Sequence, residues 1–105
     1  MKYKVQFSEA AAEDLERLFD FALERELSSE SGDLDVPDRA LQAIKDAMAL
    51  LRSSPFACRM VGSSPFIREL VITFGSSGYV ALFEIVDDKT VIIGAVRHQR
   101  EDDYH

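Results

Sequence analysis

A chain of 105 residues, 47% of them hydrophobic, has material for one buried core and is too short for two independent ones. Its formal net charge of −7 repels phosphate backbones at long range, so direct high-affinity DNA binding by the chain alone is not expected. The single cysteine, Cys58, excludes an internal disulfide, and no apolar run reaches the roughly 20 residues of a membrane helix.

The opening MKYKVQF lacks an apolar run of signal-peptide length, which points to a cytoplasmic setting. In residues 2–7, Lys2, Lys4 and Gln6 alternate with Tyr3, Val5 and Phe7, the period of a half-buried strand. Ser8 stands where an N-cap belongs, and Glu9 and Glu13 follow near the positive end of a helix dipole. Ala11, Leu15, Leu18, Phe19, Ala22 and Leu23 keep helical spacing, so a first helix is expected from about Glu9 to Leu27. Its outer face carries Glu13, Glu16, Arg17, Asp20 and Glu24, while Phe21 lies off the main apolar stripe.

Residues 28–36 form a polar loop. Pro37 suits the first turn of a second helix, and Leu41, Ile44, Met48 and Leu51 carry that helix to about Arg52. Residues 53–65 read as a turn-rich connector. Three strand signals follow: Phe66 to Phe74, Tyr79 to Val86, and Thr90 to Arg97, separated by Gly75-Ser76-Ser77-Gly78 and Asp87-Asp88-Lys89. The expected fold is α+β: an N-terminal strand, a two-helix hairpin, then a three-stranded antiparallel meander, all within one domain spanning residues 1–105.

Charge is unevenly spread along this plan. Residues 1–46 hold twelve acids against six bases, whereas residues 52–100 hold six bases against four acids. An anion site would therefore be local and built from arginines of the second half. Arg68 shares its strand face with Phe66, Leu70, Ile72 and Phe74; it reaches out to solvent, pairs with a carboxylate such as Glu84, or offers its planar fork to an anion. At the chain's end an apolar strand runs into Arg97-His98-Gln99-Arg100, with Tyr104 beyond. A solvated tail looks like this, and so does a set of phosphate-binding groups beside one side chain that titrates near neutrality. Neither a Gly-rich phosphate loop nor a Cys/His cluster with metal spacing occurs, so no cofactor and no metal are expected.

The order of these pieces resembles the RelE/ParE family of bacterial toxins from type II toxin–antitoxin modules. The matching pieces are Ser8-Glu9-Ala10-Ala11, Asp14-Leu15, Arg68-Glu69-Leu70, Gly78-Tyr79-Val80-Ala81-Leu82-Phe83 and, most specifically, Ile93-Gly94-Ala95-Val96-Arg97-His98-Gln99-Arg100. The resemblance implies one of two activities. RelE-like members cleave mRNA on the ribosome without metal; ParE-like members poison DNA gyrase and are not enzymes. For the first, Arg68 and Arg97 match phosphate-binding strand arginines, and His98 or Tyr104 supplies the acid–base group. Arg52 and Arg59 are the only bases near the end of the second helix, and the sequence pI is about 4.7, so the ParE-like branch is favoured, with the C-terminal arginines Arg97 and Arg100 as contact candidates. A binding module without toxicity is a third reading. The family further implies a cognate antitoxin whose apolar C-terminal segment wraps the toxin, for which Phe21 is a candidate contact.

Overall fold

The computed structural model describes residues 2–101 and 104. Strand β1 (Lys4–Phe7) leads into helix α1 (Glu9–Leu27), then helix α2 (Val36–Ser53). A 3₁₀ turn, Pro55–Ala57, precedes β2 (Arg59–Val61), β3 (Ser64–Phe74), β4 (Ser77–Ile85) and β5 (Thr90–His98). The five strands form one sheet in the order β1-β5-β4-β3-β2. The meander β3-β4-β5 is antiparallel, and β1 joins β5 in parallel, from Lys4 opposite Thr90 to Phe7 opposite Ile93.

The first helix begins as the sequence predicts. The Ser8 hydroxyl accepts from the Ala11 N–H at 3.0 Å and donates to the Gly94 carbonyl at 3.2 Å, so one side chain caps α1 and fastens it to β5. The second helix has Asp35 at its N-cap without a side-chain hydrogen bond; Pro37, at the start of its first turn, fixes the backbone instead. Three details differ from the sequence expectation. Part of the connector is a strand, β2, too short and too polar to show a period. The β3–β4 turn is tighter than four residues, because Ser77 and Gly78 already pair with Phe74 and Thr73. Arg68 is not the partner of Glu84.

Both helices cover one sheet face. Ile44, Met48 and Leu51 of α2 and Ala11 and Leu18 of α1 meet Leu70, Ile72, Ala81, Phe83, Val91, Ile93 and Val96 in the core. Phe83 is 1% exposed and central; each such large side chain contributes roughly 1.5–3 kcal/mol by leaving water. Cys58 is one of these buried residues, and burial pushes its thiol pKa up, so it stays an inert thiol. Among the described residues no helix is long and apolar enough to cross a membrane.

An irregularity in β5 sets the geometry of everything that follows. Leu82 faces Ala95 while Phe83 faces Ile93, so Gly94 is an extra residue against the β4 ladder. Before it, Val91 and Ile93 point to the helices; after it, Val96 does. The parity of the strand is reversed for its last four residues.

β1 ends at Phe7, which leaves the edge of β5 beyond Ile93 without a strand among the described residues. Helix α1 takes over that edge. The Ser8 N–H donates to the Ile93 carbonyl, and the buried carboxylate of Asp14 accepts from the Val96 N–H at 2.9 Å. A buried amide without a partner is costly, so Asp14 in effect continues the sheet.

Candidate functional site

The candidate side chains divide between two sheet faces. Arg68 points to the helix side, in register with the core residue Phe83. Its guanidinium donates to three backbone carbonyls: Pro65 at 2.8 Å, Phe56 at 3.0 Å and Cys58 at 2.6 Å. It also stacks over the Phe56 ring, 5.2 Å from the centroid. Glu84 stands opposite Ile67, on the other face of the sheet from Arg68, so the pairing that the sequence allows does not form and these carbonyls take its place. Arg68→Met is therefore expected to lower stability by about 1–2 kcal/mol, as charged donors to carbonyls that are partly solvated are lost. A thermal melt beside a growth-arrest assay checks this. An unchanged melt with lost toxicity would show a contact residue instead of an anchor.

Arg97 lies on the opposite face, in register with Val80 and, through it, Val71. Its guanidinium donates to the carbonyls of His98 and Glu101, at 3.2 and 2.7 Å, and its carbon sits 5.1 Å from the centre of the Tyr104 ring. The Tyr104 phenol donates to Glu69, and Glu69 in turn pairs with Arg59 at 2.9 Å. Burial, reinforced by the Glu69 carboxylate, pushes the phenol pKa well above its ordinary value. Tyr104 is thus held on the open sheet face by Arg97 and Glu69.

His98 returns to the helix side. Its ring meets Tyr79 edge-on at 5.5 Å. Nδ1 lies 3.1 Å from the Arg100 N–H, which can only donate, so Nε2 carries the proton and faces Ser77 Oγ at 3.1 Å. Desolvation first, then the charge of Arg100, lowers the His98 pKa and favours the neutral imidazole. Glu101 locks the turn: it accepts from the His98 N–H at 3.0 Å and pairs with Arg17 of α1 at 3.3 Å. Arg100 is exposed.

Beside His98, the side chains of α1 and the β3–β4 turn enclose two adjoining concavities of about 320 and 360 Å³. Leu18, Phe21, Arg25 and His98 line both. Phe21 is 62% exposed. Sequence reasoning missed Arg25 here and Glu69 on the other face, although Arg17, Phe21 and Arg25 at four-residue steps already share one stripe of a helix. Among the described residues no three His, Cys, Asp or Glu side chains are grouped to hold a metal ion.

Residues 5–103 match the model of a family described as ParE toxin of type II toxin-antitoxin system, parDE. The chain belongs to the ParE toxin family. A solved structure titled "Chromosomal ParDE TA system from P. aeruginosa" has the same fold, with a TM-score of 0.66 over 92% of this chain and 96% of that one. The two are 18% identical, so the likeness is one of architecture. No curated protein sequence matches. In this ParE-family chain the strand pattern ending at Arg97-His98 is the end of β5. The family match extends beyond it, to residue 103.

Proposed function

We propose that this ParE-family toxin, acting in the cytoplasm as one domain over residues 1–105, poisons DNA gyrase without catalysing a reaction, and that a cognate antitoxin neutralises it. The observation that carries this choice over mRNA cleavage is the separation of Arg68 from Arg97 on opposite faces of the sheet. Cleavage at a ribose 2′-hydroxyl needs a base, phosphate-binding cations and an acid around one phosphate. Here Arg68 is spent on backbone carbonyls, Arg97 on the C-terminal turn, and the Tyr104 phenol on Glu69. The imidazole of His98 stands on the other side of the sheet from both Arg97 and Tyr104. A sequence pI of about 4.7 also disfavours entry into a ribosomal RNA cleft. A toxin acting through protein contact needs none of this convergence. It needs an exposed, rigidly held surface, and the β5 end with Arg100 and its neighbours supplies one.

Purified protein titrated into a gyrase supercoiling reaction tests the proposal. Loss of supercoiling together with accumulation of cleaved plasmid is the expected result. Folded protein that leaves gyrase untouched but cuts mRNA on translating ribosomes would overturn it. Folded protein inert in both reactions would leave an antitoxin-binding module without toxicity.

A further inference from the structure

The paired concavity beside His98 differs in charge from the rest of the molecule. Of the seven residues lining its C-terminal half, Arg17, Arg25 and Arg100 are cationic and Glu101 alone is acidic, while His98 is held toward its neutral form, in a chain of net charge −7. Arg17 is occupied by Asp14 and Glu101. Arg25 and Arg100 form no ion pair among the described residues, and both are exposed. The floor between them is apolar, with Leu18 buried and the Phe21 ring open to solvent. On α1, Arg17, Phe21 and Arg25 follow at four-residue steps, so a cation, an aromatic ring and a second cation stand in a row along the groove. An exposed aromatic beside guanidinium groups that form no ion pair among the described residues, here Arg25 and Arg100, is the arrangement of an interface anchor.

The neighbouring face of α1 narrows the choice of occupant. Glu13, Glu16, Asp20 and Glu24 border the row on its other side. A polyanion such as nucleic acid, laid across the helix, would meet these carboxylates. A short segment that places one apolar side chain between two carboxylates reaches Arg25 and Arg100 without crossing that acidic row; the acids lining the groove itself are Glu26 and Glu101, the second of them paired with Arg17.

We infer that this groove binds an acidic amphipathic segment of the antitoxin, seating one apolar side chain on Phe21 and Leu18 and flanking carboxylates on Arg25 and Arg100. The inference rests on the reading of the chain as an antitoxin-neutralised toxin. It adds which surface is used and the charge pattern the segment must carry. Salt should weaken the complex, because both guanidinium groups are exposed and screened within roughly 10 Å at 0.1 M ionic strength.

The test uses the full chain and the protein encoded by the adjacent gene, with affinity measured by calorimetry at low and high salt. The variant is Arg25→Glu with Arg100→Glu; the control, Lys45→Glu with Lys89→Glu, makes the same change in net charge at exposed positions away from the groove. The groove variant is expected to bind at least roughly tenfold more weakly, with a flatter salt dependence, while the control stays within about twofold of the parent. Circular dichroism melts confirm that each variant is folded. Parent and groove variant binding equally well would overturn the inference and leave the antitoxin reading standing. A parent chain that binds nothing would remove the antitoxin reading itself, and the inference with it.

Discussion

Gly78→Ala is expected to destabilise the protein by about 3 kcal/mol, at the upper end of overpacking costs. A β-carbon at this position would stand 1.9 Å from the Ile72 carbonyl oxygen and 3.1 Å from the Gln99 side-chain nitrogen. The first of these atoms is backbone in the facing strand, so no rotamer change relieves the clash. Relief requires β3 and β4 to separate beside their turn. The same residue offers its carbonyl to the Gln99 N–H at 2.9 Å, so the disturbance reaches the turn that carries His98 and Arg100. For a domain of this length the melting temperature should fall by about 15 °C, and a calorimetric scan reads it. Binding at the groove should weaken as well, since one wall of it is the displaced turn. A variant melting within a few degrees of the parent would mean that the hairpin is looser than described.

The second large effect is expected at Asp14. The residue is 5% exposed, and its carboxylate is the acceptor for the Val96 N–H on an edge of β5 that no strand covers among the described residues. Asp14→Ala leaves that amide buried without a partner and deprives Arg17 of one of its two carboxylates, a loss of roughly 2–3 kcal/mol. Asp14→Asn keeps an acceptor oxygen in place and should lose about half as much or less. Urea unfolding distinguishes them through the midpoint at constant slope. Amide exchange adds a local signature, since Val96 should lose protection before its neighbours in β4 do. Equal midpoints for the alanine and asparagine variants would show that the hydrogen bond to Val96 is not what Asp14 contributes.

Both sites bear on function through one element. The end of β5 and the turn after it carry Arg97, His98 and Arg100, three of the candidate residues, and among the described residues no strand pairs with its outer side beyond Ile93. Ser8 and Asp14 hold that edge, Glu101 and Arg17 close its turn, and Gly78 receives it. A toxin that works by contact depends on such an end being rigid, because loose side chains lose more entropy on binding.

Much of this was legible in the chain. Periods of two and of three to four residues gave β1, both helices and the three long strands, because each element buries one face and its apolar residues must recur at the pitch of that face. The cap at Ser8 was legible too, since an N-cap needs only its own neighbours. The family resemblance was carried by the order of short patterns, and the match over residues 5–103 bears it out. Strand β2 was not legible: three residues, Arg59, Met60 and Val61, are too few to establish a period. Nor was the partner of Arg68. Its acceptors are main-chain carbonyls, which have no sequence signature, and Glu84 was merely the nearest carboxylate on paper.

What the sequence determined by itself is the set of elements, their polarity pattern and the family, all of which follow from local spacing. The tertiary structure alone decided which side of the sheet each candidate side chain occupies. Simple alternation from Val91 and Ile93 would carry Arg97 to the helix side, the face of Arg68, and His98 to the open side. The single extra residue, Gly94, reverses this, and it is extra only because β4 spans the Leu82–Phe83 step without it. A bulge is a relation between two strands, and its consequence is a change of face for every later residue. Arg68 and Arg97 are separated for that reason, while His98 is brought beside Phe21 and Arg25.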